Sequence, residues 1–132
     1  MVKFGVIKKK PKSGNLWLWA VQGCLMLNTI LTVEDGKKEA HAKLWEWFTD
    51  YVIQYISMYM KNIVFLLWGS YAYKKINLID QDKHHVIISS HPSGLSANKP
   101  FQQYPAFMHQ DHFGKTNEFL KNIGKEPIVW GY

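Results

Sequence analysis

Apolar and polar positions fall in blocks along this chain, and the period of each block predicts an element. From Leu44 to about Met60 apolar residues recur at 44, 45, 48, 52, 53, 56 and 60, the one-face spacing of an amphipathic helix. Ile63-Val64-Phe65-Leu66-Leu67-Trp68 is an unbroken apolar run closed by Gly69-Ser70, which reads as a buried strand with a turn behind it. A second strand is predicted over His84 to Ser89, around Val86-Ile87-Ile88, and a third over Cys24 to Leu27, ending at Asn28. Asn15 is placed to cap a short helix reaching about Gln22, and Ser70 to about Ile76 reads as another. Thr116 to Ile123 reads as a final helix, stopped by Gly124 with Pro127 beyond it. Val33 to Lys43 is a polar loop, and residues 97–112 form a long aromatic and polar one. Apolar strands alternating with helices predict an α/β fold, a short parallel sheet with helices on both faces.

Residues 1–13 are a separate basic N-terminal arm in this reading, with residues 14–132 as the domain proper. The arm joins a short apolar patch (Val2, Phe4, Val6, Ile7) to Lys8-Lys9-Lys10-Pro11-Lys12. The patch is a strand fragment or a loose segment; the lysine run is a nuclear address, a phosphate patch or a solvated stretch.

Composition narrows the class. A chain of 132 residues, 47% hydrophobic and 15% aromatic, can bury a core as one small domain and is no disordered tail. The formal charge is +6, and all 16 cationic residues are Lys. Arg is the usual bidentate reader of guanine edges, so ammonium groups alone suit phosphate attraction better than sequence readout. A coding bias toward Lys explains the missing Arg as well, so the charge permits a nucleic-acid partner without requiring one. Leu16 to Val33 is apolar but broken by Gln22, Gly23, Asn28 and two threonines, which argues against a membrane span. No signal peptide is visible, and the single Cys24 cannot form an internal disulfide. A reducing, intracellular location, nuclear or cytoplasmic, is expected.

The candidate chemistry sits at strand ends. Three predicted strands finish in polar residues: Asn28, Gly69-Ser70, and Ser90-His91-Pro92-Ser93. In a parallel sheet those ends share one edge, where ligands of open α/β sheets bind. An Asn amide offers a donor beside an acceptor, as reading a nucleobase edge requires. Serine hydroxyls and turn amides suit phosphates, and a neutral His can donate to a developing oxyanion. Singly, each residue reads as an ordinary cap or turn residue; their convergence favours a site.

Five ordered segments then resemble family 1 uracil-DNA glycosylases. Gln22 to Val33 is similar to their QGVLLLN-x-x-LTV segment, and Trp45-Glu46-Trp47-Phe48-Thr49-Asp50 to their WE-x-FTD helix start. Val64 to Lys75 resembles VFLLWGSYAQKK, His91 to Ser96 resembles HPSPLS, and His112 to Asn117 resembles HFSKTN. The resemblance runs from about Pro11 to Trp130. It implies that Asn28 binds the polar edge of a flipped-out uracil and that His91 donates to uracil O2 as charge builds on the leaving base. Leu95 would wedge into the duplex, and Gly69, Ser70, Ser93 and Ser96 would grip backbone phosphates. It implies a DNA substrate, no cofactor, no metal and a monomer.

The departures are equally specific. Gly94 stands where the family has Pro, which should loosen the wedge loop. Residues 97–111 are longer than the usual loop and lack its Arg-Gly-Phe-Phe-Gly run. The family's GQDPYH motif, whose Asp positions the attacking water, is absent from these 132 residues, as are the Phe that stacks on uracil and the Pro/Ser-rich phosphate loop. Losing a positioned general base costs roughly 10²–10⁴ in rate, so little or no glycosylase activity is expected from this chain alone. The family's first, central strand lies between those matching 24–27 and 63–68; here it is missing or replaced by residues 2–7.

Three readings follow. The chain is the later two-thirds of a uracil-DNA glycosylase. Alternatively, it is a non-catalytic DNA-binding or replication accessory protein of the same fold. The third is a metal protein built on His84, His85, His91, His109 and His112, in which His109 and His112 with Asp111 bind zinc; it lacks cysteine partners.

Overall fold

The computed structural model of the protein describes residues 1–37 and 40–131. It is α/β, with a short parallel sheet flanked by helices, and it divides into two compact units. One unit is residues 27–110; the other joins residues 1–26 to residues 111–132.

In the unit of residues 27–110, helix α2 spans Ala42–Tyr59 (α1, Trp17–Val21, belongs to the other unit), followed by strand β1, Val64–Trp68. The four-residue helix α3, Ser70–Tyr73, and a 3-10 turn, Ile76–Leu78, lead to strand β2, His85–Ser89. The strands run parallel in the register Val64↔His85 to Trp68↔Ser89. His85 N–H donates to Ile63 O at one end and Gly69 N–H to Ser89 O at the other, both at 2.9 Å. Phe65 and Leu67 therefore turn their amides toward β2, while Val64 and Leu66 turn theirs away. Among the described residues no strand pairs with that second edge of β1. The outer edge of β2 is partly bonded, since Gln110 Nε2 donates to Ile88 O at 3.0 Å.

One sheet face carries the core. Leu67 and Ile88 meet Ile53 of α2 and Ile79, with Leu27, Phe65 and Val86 packed alongside. The helix predicted from Leu44 is present, but its buried line is Thr49, Ile53 and Ser57. Leu44 and Met60 are instead exposed, and Trp47, Tyr51, Tyr55 and Tyr59 make the outward face aromatic. The last turn of α2 is well capped: Lys83 Nζ donates to Ser57 O and Met58 O, each at 2.9 Å. His84 accepts from Ile63 N–H at Nδ1 (3.1 Å) and so donates from Nε2 to Ser57 O (2.9 Å). Basic groups on terminal carbonyls oppose the negative end of the helix dipole.

A second tie links α2 to the segment after α3. The Lys75 side chain, 9% exposed, lies 2.6 Å from Asp50 Oδ1 and 3.5 Å from Glu46 Oε1.

The other unit holds helix α1, Trp17–Val21, and helix α4, His112–Asn122. Asn15 Oδ1 accepts from Trp17 N–H at 2.8 Å, so the expected residue bonds the first helical amide, although the N-cap position falls one residue later, on Leu16. Trp19, Phe113 and Trp130 form a ring cluster with centroids 4.8–5.5 Å apart. Gln22 is tied to Val129 in both directions, and Asn117 likewise to Ile128. Helix α4 starts four residues before the expected Thr116 because Asp111 caps it, accepting from Gly114 N–H at 2.9 Å. The fourth helix thus takes its cap, Asp111, and its first residue, His112, from the predicted 97–112 loop, which also contains a 3-10 turn, Phe107–His109.

One strand expectation fails, and one of the two alternatives for residues 2–7 is excluded. Residues 24–27 form no strand, and Leu25 and Met26 are exposed. An extended segment becomes a strand only with a ladder partner, and none is present among the described residues. Residues 2–7 do not supply it: Val2–Phe4 is a 3-10 turn, closed by Gly5 in the left-handed region. Ile7 alone of that patch is buried.

Candidate functional site

Every residue expected at the site lies in the unit of residues 27–110. Parallel pairing puts the ends of β1 and β2 side by side, so the residues following Trp68 and Ser89 are neighbours. Gly69 has φ +86° and ψ 177°, a region open only to glycine. A side chain there would also meet His91, with Cβ to Cβ at 3.0 Å. The glycine thus lets the turn after β1 close directly against His91.

His91 is exposed, and its Nδ1 accepts from Ser93 N–H at 3.1 Å. An acceptor at Nδ1 places the ring proton on Nε2, so the free nitrogen is a donor. The bond from Ser93 N–H holds the neutral ring in that tautomer.

The loop beyond is a compact turn. Ser93 O accepts from Ser96 N–H at 3.0 Å and Ala97 N–H at 2.8 Å. Leu95 sits on it 86% exposed, so an apolar side chain projects where burial gives it nothing. The hydroxyls of Ser70, Ser93 and Ser96 make no hydrogen bond among the described residues, leaving each available to a ligand.

Sequence reasoning overlooked how this loop is fixed. Ser90, nearly buried, donates from Oγ to Ser96 O (2.9 Å) and accepts from Phe107 N–H (3.0 Å). One hydroxyl thereby ties the end of β2 both to Ser96 within the turn and to Phe107 at the start of the later 3-10 turn. A small polar residue between an apolar strand and His-Pro was the signal for it.

Asn28 is exposed and forms no hydrogen bond with the described residues. Its neighbours are anchored: Leu27 packs against the core, and Thr29 O accepts from Thr49 Oγ1 at 3.2 Å. The structure brings Gly69 and His91 into contact and fixes Asn28 on the same unit, without a bond between Asn28 and His91.

The remaining polar groups have other work. Both nitrogens of His84 are used at the end of α2. Among the described residues no three His, Cys, Asp or Glu side chains come together as a metal site, so the zinc reading on His109, Asp111 and His112 finds no cluster to rest on. No described helix is long and apolar enough to cross a membrane. Burial raises the thiol pKa of Cys24 above its ordinary value, the opposite of an activated nucleophile.

The uracil DNA glycosylase superfamily model matches residues 6–121. A Vibrio parahaemolyticus uracil-DNA glycosylase is 50% identical over 121 residues, 91% of this chain and 51% of its own length. One from Buchnera aphidicola is 52% identical over 118 residues, 89% of this chain and 50% of its own. Among solved structures, the mimivirus uracil-DNA glycosylase superposes with a TM-score of 0.92 at 38% identity, covering 98% of this chain and 51% of that one. A mimivirus UNG variant in complex with UGI gives a TM-score of 0.90, also at 38% identity, covering 98% of this chain and 52% of that one. The chain spans about half the length of the relatives it matches. A match of this extent, over the segments that carry Asn28, Gly69 and His91, means that the chain belongs to the uracil-DNA glycosylase superfamily.

Proposed function

We propose that this chain carries the leaving-group and DNA-gripping side of a uracil-DNA glycosylase site, serving base-excision repair by hydrolysis of the N-glycosidic bond of flipped-out uracil. The observation that carries the reading is the His91 tautomer: with Ser93 N–H bonded to Nδ1, Nε2–H faces outward as a donor. A donor aimed at uracil O2 stabilises the charge that develops there as the glycosidic bond breaks. Asn28 presents the amide that pairs with the polar edge of uracil. Leu95 fills the gap left by the extruded nucleotide, and Gly69, Ser70, Ser93 and Ser96 hold the flanking phosphates. Unstacking costs a few kcal/mol, which the wedge and the phosphate contacts offset.

Residues 1–132 contain no Gly-Gln-Asp-Pro-Tyr-His run to position water. Turnover by these residues alone is therefore expected to be little or none, lower by at least the roughly 10²–10⁴ of a missing general base. That same sequence fact favours the second reading, a non-catalytic DNA-binding or replication accessory role.

The test is incubation with single-stranded DNA containing uracil, scored for abasic sites. Product that disappears in His91→Ala supports the enzyme. DNA binding without product supports the accessory role, and neither binding nor product defeats both.

A further inference from the structure

The positive charge of this protein is concentrated. Residues 1–33 hold five lysines and no carboxylate, whereas residues 34–132 hold eleven lysines against ten carboxylates. Five of the six net charges therefore lie in the first quarter of the chain, and residues 34–132, which bear Gly69 and His91, are nearly neutral. Four of the five lysines are Lys8, Lys9, Lys10 and Lys12, all exposed. None of the four has a carboxylate partner among the described residues; the ion pairs there involve Lys37 and Lys75.

The run is anchored at both ends. Ile7, just before it, is 5% exposed and packs against Gly131, where an added Cβ would lie 3.2 Å from Ile7 Cγ2. Just after it, Ser13 Oγ accepts from Asn15 N–H at 3.1 Å, and Asn15 Oδ1 in turn accepts from Trp17 N–H, the first amide of α1. Between these anchors Pro11 restricts the backbone further. Four ammonium groups are thus displayed on a tethered loop, at a lower ordering cost on binding than on a free tail.

We infer that Lys8, Lys9, Lys10 and Lys12 form a phosphate-binding loop for the nucleic-acid backbone, separate from the base-binding residues. The inference rests on the proposed DNA substrate and adds where the electrostatic part of that affinity comes from. Lysines act there as point charges that release counterions without reading sequence. An anionic membrane is the lesser fit, because the run itself holds no apolar side chain to insert.

The test is fluorescence anisotropy of the 132-residue chain with a labelled, uracil-free single-stranded DNA oligonucleotide between about 50 and 200 mM salt. The variant replaces all four lysines by Gln; His91→Ala serves as the comparison. Each phosphate contact on single strands contributes about 0.7 to the slope of log K against log salt. Loss of the loop should flatten the slope by about 2–3 and weaken binding at least tenfold at low salt. His91→Ala should leave the slope unchanged. A parent chain that binds with a slope the quadruple variant retains overturns this inference alone. A parent that binds no DNA overturns both it and the proposed substrate. Lysine-dependent binding to anionic phospholipid vesicles, tighter than to DNA, assigns the loop to a membrane and overturns it likewise.

Discussion

Replacing Asp50 with Asn should destabilise this protein more than replacing Lys75 with Met, although both remove the same ion pair. Lys75 is the buried member, with a side chain 9% exposed, whereas Asp50 is 31% and Glu46 63% exposed. In Asp50→Asn the ammonium stays buried, and its nearest remaining carboxylate is the mostly solvated Glu46 at 3.5 Å. Stripping one partner from a fully buried pair costs about 3–5 kcal/mol. The partial exposure of Asp50 and the residual pull of Glu46 reduce this to about 1–3 kcal/mol. In Lys75→Met the buried ammonium is gone and the methionine fills most of the volume of the lysine stem; Glu46 already faces water, and Asp50, 31% exposed, has to swing its buried Oδ1 outward. That change should cost less than about 1 kcal/mol. Urea unfolding of the two variants and the parent, compared by midpoint at constant m, reads the difference. A Lys75→Met variant as unstable as Asp50→Asn, or more so, would refute the argument that desolvation of the ammonium sets the scale.

Gly69→Ala should cost about 1–3 kcal/mol, because it forces an alanine to φ +86° with its Cβ 3.0 Å from that of His91. Urea unfolding gives the cost, and a displaced His91 imidazole resonance in NMR shows the contact. Gly94→Ala should do the reverse: its φ is outside the left-handed region and its added Cβ meets nothing within 4 Å. A gain of about 0.4–1 kcal/mol through the unfolded chain is expected, read by the same unfolding midpoint. Burial raises the Cys24 pKa, so the folded chain holds the thiol proton to higher pH than the unfolded chain does. The associated stability is complete below the ordinary thiol pKa of about 8.5 and is lost as pH rises through the folded value. Iodoacetamide should accordingly modify Cys24 more slowly than free cysteine at the same pH.

Much of this fold could be read from the chain because its signals are local. The apolar runs at 64–68 and 85–89 become strands because burial and backbone preference agree there, and the 3.6-residue spacing after Leu44 becomes α2 although Ile53 alone of its apolar positions is buried. Cys24 to Leu27 carries the same apolar signal, yet a strand depends on a neighbour's hydrogen bonds, which composition does not encode. Helix α4 begins early because Asp111 reaches Gly114 N–H, a cap hidden by the aromatic stretch before it. At the site, His91 and Gly69 were visible as turn residues behind strands. Ser90 as the pin of the loop was not, because its partners Ser96 and Phe107 are set by folding rather than by spacing.

The unpaired edge of β1 gives the backbone a pattern that hydrogen–deuterium exchange can read. The amides of Phe65 and Leu67 are locked to β2, while those of Val64 and Leu66 point to an edge with no strand among the described residues. Protection should alternate residue by residue along a strand only five residues long. That alternation is a built-in reporter. Any polypeptide that seats itself along the open side as a further strand would slow Val64 and Leu66 selectively, and the sawtooth would become flat.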